Sequence, residues 1–347
     1  MGDVKILVTA TGAPGAASLL RGLRENGEQK VTLVGTDMRH QSAGHFLCDH
    51  FHEVPAGNDP RFAEALAEVA RHEGVDCVFP QSSAEILAIS RSVELFDVPV
   101  LVCKPESIER AASKTETARL AKELGVPHPE SIEVTDGESL RSAARELGYP
   151  GKDVCMKPVE GKGGRGFRVL SATADRRRNL LEGRPGTLLP LAVEEAVEIL
   201  DSGAGFPPML VMELISGQEQ ATDAICREGR TLVISAKTRE AIRAGLAMEF
   251  ELIDRADLLD SSRKMIEALE LDHLVNLGFI GEYLLEVNAR ISTVVYQPDL
   301  NMSWLTVKLA MGLITEDELL ELQPRVEIGR RVTRYFDQLE YLDHDRD

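Results

Sequence analysis

Apolar residues in this chain gather in short β-rich runs, and most runs pass into stretches whose apolar positions recur at helical spacing. Lys5 to Ala10 opens the series. It breaks at Thr11-Gly12-Ala13-Pro14-Gly15 and leads into a segment with Leu19, Leu20 and Leu23 on one side, which predicts the strand and helix of a βαβ unit. Val31 to Val34, Phe51 to Val54, Cys77 to Phe79 and Val98 to Val102 follow as strands, with an amphipathic helix over Asp59 to Arg71. The strand at Phe51 reads as an edge, and the one at Val98 closes a first domain.

Beyond Gly125-Val126-Pro127 the pattern changes. Glu133 begins a helix-containing segment, Gly148-Tyr149-Pro150 marks a turn, and Val154 to Pro158 and Phe167 to Leu170 flank a loop with four glycines, Gly161, Gly163, Gly164 and Gly166. Strands are predicted at Met209 to Met212, Ala221 to Cys226, Thr231 to Ala236, Leu274 to Ile280 and from Tyr283. Helices are predicted at Lys114 to Leu124, Val193 to Leu200, Leu258 to Leu269 and Trp304 to Met311. The fold class is α/β.

Composition narrows the partners. A net charge of -18 argues against nucleic acid or an anionic membrane surface. No apolar run approaches a membrane span, and the opening Met-Gly-Asp-Val-Lys lacks the features of a signal peptide, so a cytoplasmic protein is expected. The five scattered cysteines read as reduced core residues.

The chemistry concentrates in Tyr283 to Arg290. A strand there sends Glu286, Asn288 and Arg290 out of one face, because side chains alternate along a strand. Glu and Asn oxygens suit Mg²⁺ completed by phosphate oxygens, and Arg suits a phosphoryl or carboxylate group. A salt-bridged strand rim explains those residues equally well. Elsewhere, Lys114 stands at a helix start, and Lys157 lies on an apolar strand before the glycine loop, whose backbone N-H groups can approach phosphates. Glu213, Glu219 and Asp223 interrupt apolar strands, and Lys237, Arg239 and Arg243 fall close together.

Other signals carry less. Gly12-x-x-Gly15 with Asp37 suggests a dinucleotide fold but lacks the full glycine fingerprint. His40, His45, Cys48, His50 and His52 match no zinc spacing and read as surface and loop residues. Gln81, Ser82, Ser83 and Glu85 follow a strand where α/β sheets place ligands, yet Ser82 or Ser83 as a helix cap is the expected role.

Taken in order, Ser113-Lys114 with Arg119 and Leu124-Gly125-Val126-Pro127, the Lys157-Pro158 strand with its glycine loop, Glu213-Leu214-Ile215-x-Gly217-x-Glu219, and Leu285-Glu286-Val287-Asn288-x-Arg290 resemble the ATP-grasp superfamily. The likeness is to enzymes similar to the carbamoyl-phosphate synthase large chain and to small-molecule carboxylate-amine ligases. It implies a Rossmann-like pre-ATP-grasp domain over 1–104 and an ATP-grasp domain over 105–335, whose two α+β subdomains clasp ATP. A mobile lid over about 130–212 and a tail over 336–347 complete the expected organisation.

The resemblance also assigns roles. Lys114 and Lys157 would contact ATP, with Gly163 and Gly164 in a lid over the phosphates. Met212, Glu213, Leu214 and Ile215 would form the adenine hinge, Glu219 would bind ribose, and Lys237, with Arg239, would face the triphosphate. Glu286 and Asn288 would hold Mg²⁺, with Mn²⁺ as an alternative. The strand before them has no carboxylate, so Asn276 takes the first metal position, with Glu282 in reach only if strand pairing is regular. Arg290, then Arg243, would hold an acyl phosphate formed from a small-molecule carboxylic acid before an amine displaces phosphate.

The resulting expectation is an ATP- and Mg²⁺-dependent carboxylate-amine ligase, with a homodimer compatible. A carbamoyl- or carboxy-phosphate-forming synthase, a non-catalytic ATP-binding protein and a dinucleotide oxidoreductase are the competing readings. Gln297, Asn301 and Trp304 are open to two readings, as substrate-pocket lining or as cap and core of the last helix.

Overall fold

The computed structural model describes residues 3–159, 166–182, 189–203, 205–243, 245–292, 296–297, 299–335 and 337–340. The chain divides into two compact units, Met1–Val126 with Gln218–Asp347, and Pro127–Gly217. No described helix is long and apolar enough to cross a membrane.

The first unit opens with a parallel sheet of β1 (Val4–Val8), β2 (Val31–Asp37), β3 (His50–Glu53) and β4 (Cys77–Phe79), in the order β3-β2-β1-β4. Its central strands are continuous apolar runs because both faces are covered. Leu7, Val34 and Val78 pack with Phe62 and Leu66 of helix Phe62–Glu73. Ile6, Val8 and Leu33 share a core with Leu19, Leu20 and Leu23 of helix Ala16–Arg24 and with Trp304, Leu305 and Val307 of helix Met302–Ala310. Polar β3 takes the edge, as expected from its sequence.

The strand expected at Val98 to Val102 is reduced to one parallel bridge, Val78 to Val100. Pro99 has no N-H to extend the ladder, although its carbonyl accepts from Val78 N.

The second unit holds an antiparallel sheet of β5 (Ser131–Val134), β6 (Val154–Pro158), β7 (Arg168–Leu170) and β8 (Met209–Glu213), in the order β5-β8-β6-β7. Glu133 lies within β5, and the helix of the segment it was expected to open starts at Gly137. Asp136 caps that helix by accepting from Ser139 N, and Ser139 bonds back to the Asp136 backbone. Helices Gly137–Glu146 and Val193–Asp201 supply Leu140, Ala143, Ala196 and Val197 to a core with Val154, Met156 and Val211.

The first unit resumes with β9 (Glu219–Arg227), β10 (Arg230–Thr238), β11 (Glu249–Ile253), β12 (His273–Ile280) and β13 (Tyr283–Asn288). A two-residue ribbon of β14 (Tyr296–Gln297) and β15 (Leu300–Asn301) follows, and β16 (Arg331–Thr333) returns to the main sheet. That sheet runs β13-β12-β9-β10-β11-β16. One face places Ala224, Ile234, Val275, Leu277, Phe279 and Val287 in a core with helices Pro105–Ala112, Lys114–Leu124 and Ala256–Ala268.

Candidate functional site

The opposite face of the larger sheet is apolar where Ile225, Val233 and Leu274 pack with Trp304 and Leu305, and polar beyond them. Register sets Ser235 of β10 opposite Asp223 of β9, Asp223 opposite Asn276 of β12, and Asn276 opposite Asn288 of β13. Strand alternation adds Lys237 beside Ser235 and Glu286 beside Asn288. Four strands thus form a row that is closed at one end and open at the other, since Asp223, Asn276 and Lys237 are 1–2% exposed while Glu286 is exposed.

Hydrogen bonds along this row converge on Asp223, from Lys237 on one side and from Asn288 through Asn276 on the other. Lys237 Nζ donates to Asp223 Oδ2. Asn276 Nδ2 donates to Asp223 Oδ1 at 3.0 Å and to the Thr222 carbonyl at 3.1 Å. Asn288 Nδ2 donates to Asn276 Oδ1 at 3.4 Å and to Glu286 Oε1 at 3.2 Å. Burial pulls the Lys237 ammonium pKa down, and Asp223 opposes that shift.

These contacts bear on three expectations. Lys237, expected at the triphosphate, is buried with Asp223 supplying the counter-charge that a buried ammonium requires. Asn276, expected at the first metal position, has its amide hydrogens on Asp223 and Thr222 and its oxygen toward Asn288. The alternative, Glu282, lies off the face of Glu286. Pairing of β12 with β13 shifts register between Gly278 and Phe279, and the bulge breaks the alternation that would have put Glu282 on the face of Glu286.

Glu286 and Asn288 remain as oxygen donors at the open end. Their chemistry fits a hard cation such as Mg²⁺, which takes one or two carboxylates and completes its shell with water and phosphate. Gly278 lies opposite Glu286, and a Cβ there would come within 3.0 Å of Glu286 Cγ, so glycine leaves the carboxylate its room. Among the described residues, no group of three or more His, Cys, Asp or Glu side chains is arranged to hold a metal.

Arg290, just past β13, donates from Nε to Ser83 Oγ at 2.5 Å, from Nη1 to the Ile291 carbonyl at 2.7 Å and from Nη2 to Asn288 Oδ1 at 3.4 Å. Burial lowers its pKa, with Glu286 opposing and Arg239 adding to the shift. Its Ser83 partner belongs to the loop after β4, so the C-terminal edge of the parallel sheet meets the end of β13.

That edge holds a second acidic group. Glu85 is 8% exposed and accepts from Thr9 Oγ1 at 2.6 Å, while Gln81 Nε2 donates to the Thr9 carbonyl at 2.8 Å. The expected side-chain cap at this helix is absent. Ser82 Oγ accepts from Ala84 N within the turn, Ser83 turns to Arg290, and Glu85 itself occupies the cap position. Burial, with Asp37 adding to it and the Thr9 bond opposing it, pushes Glu85 up to about 7.

A raised acid keeps its proton in the folded state after the unfolded chain has lost it. Its stabilising contribution is therefore complete below the unfolded pKa and disappears as pH rises toward about 7. Glu85→Gln should remove this slope and gain about 3 kcal/mol relative to wild type between pH 4.5 and 8. Urea unfolding of both proteins at the two pH values checks it, and parallel pH profiles would reject it.

The remaining expected residues are dispersed. Lys114 is the first residue of its helix, whose cap Ser113 accepts from Glu116 N, and burial lowers the lysine pKa. Glu219 opens β9 with Arg239 at 3.7 Å. Arg243 is exposed beyond β10 and forms an isolated bridge with Leu246.

In the second unit, Lys157 on β6 pairs in register with Leu210 of β8, and Cys155 with Met212. Met212 is buried, Glu213 Oε2 accepts from Glu130 N at 3.1 Å, Leu214 packs partly buried beside them, and Ile215 is half-buried. Gly163 and Gly164 lie outside the described residues.

Gln297, Asn301 and Trp304 belong to packing. Gln297 donates to the Arg325 carbonyl, Asn301 caps helix Met302–Ala310 by accepting from Trp304 N, and Trp304 is 1% exposed with its Nε1 on Glu28. His50 and His52 bind Glu73 at 2.8 and 2.7 Å, and Cys48 precedes their strand. Thr9 and the pairing of Asp223 with Lys237 were not anticipated from the sequence. The visible sign for the pair was the placing of two opposite charges on two successive apolar strands.

Residues 205–331 match the family described as ATP-grasp in the biosynthetic pathway with Ter operon. The carbamoyl phosphate synthase large chain of Rubrobacter xylanophilus is 25% identical over 275 residues, covering 77% of this chain and 25% of that protein. The chain therefore spans about a quarter of the length of that relative. Among solved structures, the biotin carboxylase domain dimer of Hydrogenobacter thermophilus 2-oxoglutarate carboxylase, in complex with MgADP, ADP and bicarbonate, aligns with a TM-score of 0.66 and 18% identity over 94% of this chain and 73% of its own. Phosphoribosylglycinamide synthetase from Anaerococcus prevotii aligns with a TM-score of 0.60 and 15% identity, covering 90% and 76%.

Proposed function

We propose, from the ATP-grasp fold of this chain, that it is an ATP- and Mg²⁺-dependent ligase that activates a small-molecule carboxylic acid as an acyl phosphate and couples it to an amine. The observation that carries this reading is the open end of the polar row, where Glu286 and Asn288 offer oxygens and Arg290 stands beside them. Mg²⁺ bound there, or Mn²⁺ in its place, would neutralise phosphate charge during transfer. Arg290, kept in position by Ser83 and the Ile291 carbonyl, would orient a carboxylate or phosphoryl oxygen.

Lys114 and Lys157, with the hinge Met212 to Ile215 and with Glu219, are the groups we assign to the nucleotide. The acid and amine are small molecules in this reading, with no nucleic acid or membrane partner, in a cytoplasmic protein compatible with a homodimer. A catalytically silent ATP-binding protein is the second reading. It is favoured by Asn276, a neutral and engaged side chain, standing opposite Asn288 where a second carboxylate would strengthen cation binding.

ADP release from Mg-ATP across a panel of amino acids and small carboxylic acids separates the two. Stimulation at least about 10-fold above the rate without acid, abolished in Arg290→Ala, supports the ligase, since orientation of reacting groups is worth that much and more. ATP binding with no acid-dependent turnover supports the silent protein.

A further inference from the structure

The two charges buried deepest in the polar row lie on strands that do not pair with β13. Asp223 and Lys237 lie two and three strands away from β13 in the sheet. They nevertheless decide which way the intervening amides point. An asparagine side chain can be turned over, exchanging its oxygen for its NH₂ group, and the hydrogen-bond partners select the orientation. Were Asn276 turned over, its oxygen would face both Asp223 Oδ1 and the Thr222 carbonyl, the two acceptors to which its Nδ2 now donates. The Asp223 charge makes that arrangement costly, and Lys237 makes the charge tolerable in a site closed to water.

With Asn276 fixed, its oxygen faces β13 and accepts from Asn288 Nδ2. Glu286 Oε1 accepts from the same nitrogen. Asn288 therefore directs its NH₂ group into the protein and leaves Oδ1 on the side of Arg290, where Nη2 lies 3.4 Å away. Only that orientation offers a cation an oxygen. An Asn288 turned over would present hydrogens to the metal and abolish its value as a ligand.

We propose that Asp223, neutralised by Lys237, is a positioning residue for the divalent-metal site, acting through Asn276 to hold Asn288 with its oxygen outward. The inference rests on the metal reading of Glu286 and Asn288 given above. It assigns Asn276 the role of relay and gives Lys237 a structural charge in place of a phosphate contact.

Mn²⁺ titrated into the full chain with saturating AMP-PNP, followed by electron paramagnetic resonance, provides the test. Asp223→Asn combined with Lys237→Met removes both charges and strands neither. It should weaken Mn²⁺ binding about 10- to 100-fold, the usual effect of losing a group that orients a metal ligand. AMP-PNP binding in EDTA should be unchanged. Asn276→Leu, which interrupts the chain and keeps the ion pair, should lose Mn²⁺ affinity in the same way.

Adding Asn288→Asp to either variant should bring affinity back to within a few-fold of wild type, because a carboxylate offers oxygen whichever way it turns. Because an added carboxylate also raises affinity by its charge, the gain is compared with Asn288→Asp in the otherwise wild-type chain, and a purely structural role for the pair would show the same gain in both backgrounds. Mn²⁺ affinity that is unchanged in both variants, or not recovered with Asn288→Asp, overturns the proposal. A wild-type chain that binds AMP-PNP and no Mn²⁺ overturns the metal reading itself, and the positioning role with it.

Discussion

Glu286→Ala should reduce metal-dependent ADP release by at least about 100-fold, beyond the 10- to 100-fold typical when a group that only orients a ligand is removed. The reason lies in charge. Among the described residues, Glu286 is the carboxylate that β13 brings to the open end of the polar row; Asp223, two strands away, is neutralised by Lys237. Asn288 alone offers a cation a dipole and no net charge. The alanine variant should keep its fold, since Glu286 is exposed and its contacts are with Asn288. A circular dichroism melt matching wild type, together with lost Mg²⁺-dependent turnover, is the expected combination. Turnover within a few-fold of wild type would remove Glu286 from the metal site.

Lys237→Met should have the largest effect on stability, about 3–5 kcal/mol, because it leaves the Asp223 carboxylate buried without its counter-charge. The side chains of the pair are 1% and 2% exposed, so water cannot replace the missing ammonium. Urea unfolding at pH 7 measures the loss directly. Adding Asp223→Asn to Lys237→Met should recover most of it, since replacing both members of a buried pair is far less costly than removing one. A double variant as unstable as the single one would show that the loss comes from packing around the lysine stem.

Much of this arrangement was legible in the sequence. The apolar runs marked most strands to within one or two residues, and the spacing of Glu286, Asn288 and Arg290 identified one face of one strand. Sequence order also carried the likeness to the ATP-grasp superfamily. What spacing could not give was lateral register. The position of Asp223 beside Asn276, and of Asn276 beside Asn288, is set by pairing between strands that are far apart in the chain. For the same reason spacing could not show Lys237 against Asp223: a lysine on an apolar strand looks identical in sequence whether it faces ligand or a buried acid.

Short elements failed for local reasons. Pro99 cut a predicted strand to one bridge, and the β12–β13 bulge moved Glu282 off the expected face. Ser82 and Ser83 were natural cap candidates, but Arg290, more than 200 positions along the chain, takes up Ser83.

The core beneath the parallel sheet has a consequence for how the protein is made. One face of that sheet, with Ile6, Val8 and Leu33, is completed by Trp304, Leu305 and Val307. Synthesis proceeds from the N-terminus at about 5–20 residues per second, so this face emerges from the ribosome long before its cover exists. Pro127–Gly217, a continuous stretch with its own core, can finish folding in the interval. The nascent chain thus carries an uncovered apolar surface until residues 302–310 have been made. Chaperone demand and losses during expression should therefore depend on how quickly helix Met302–Ala310 is delivered.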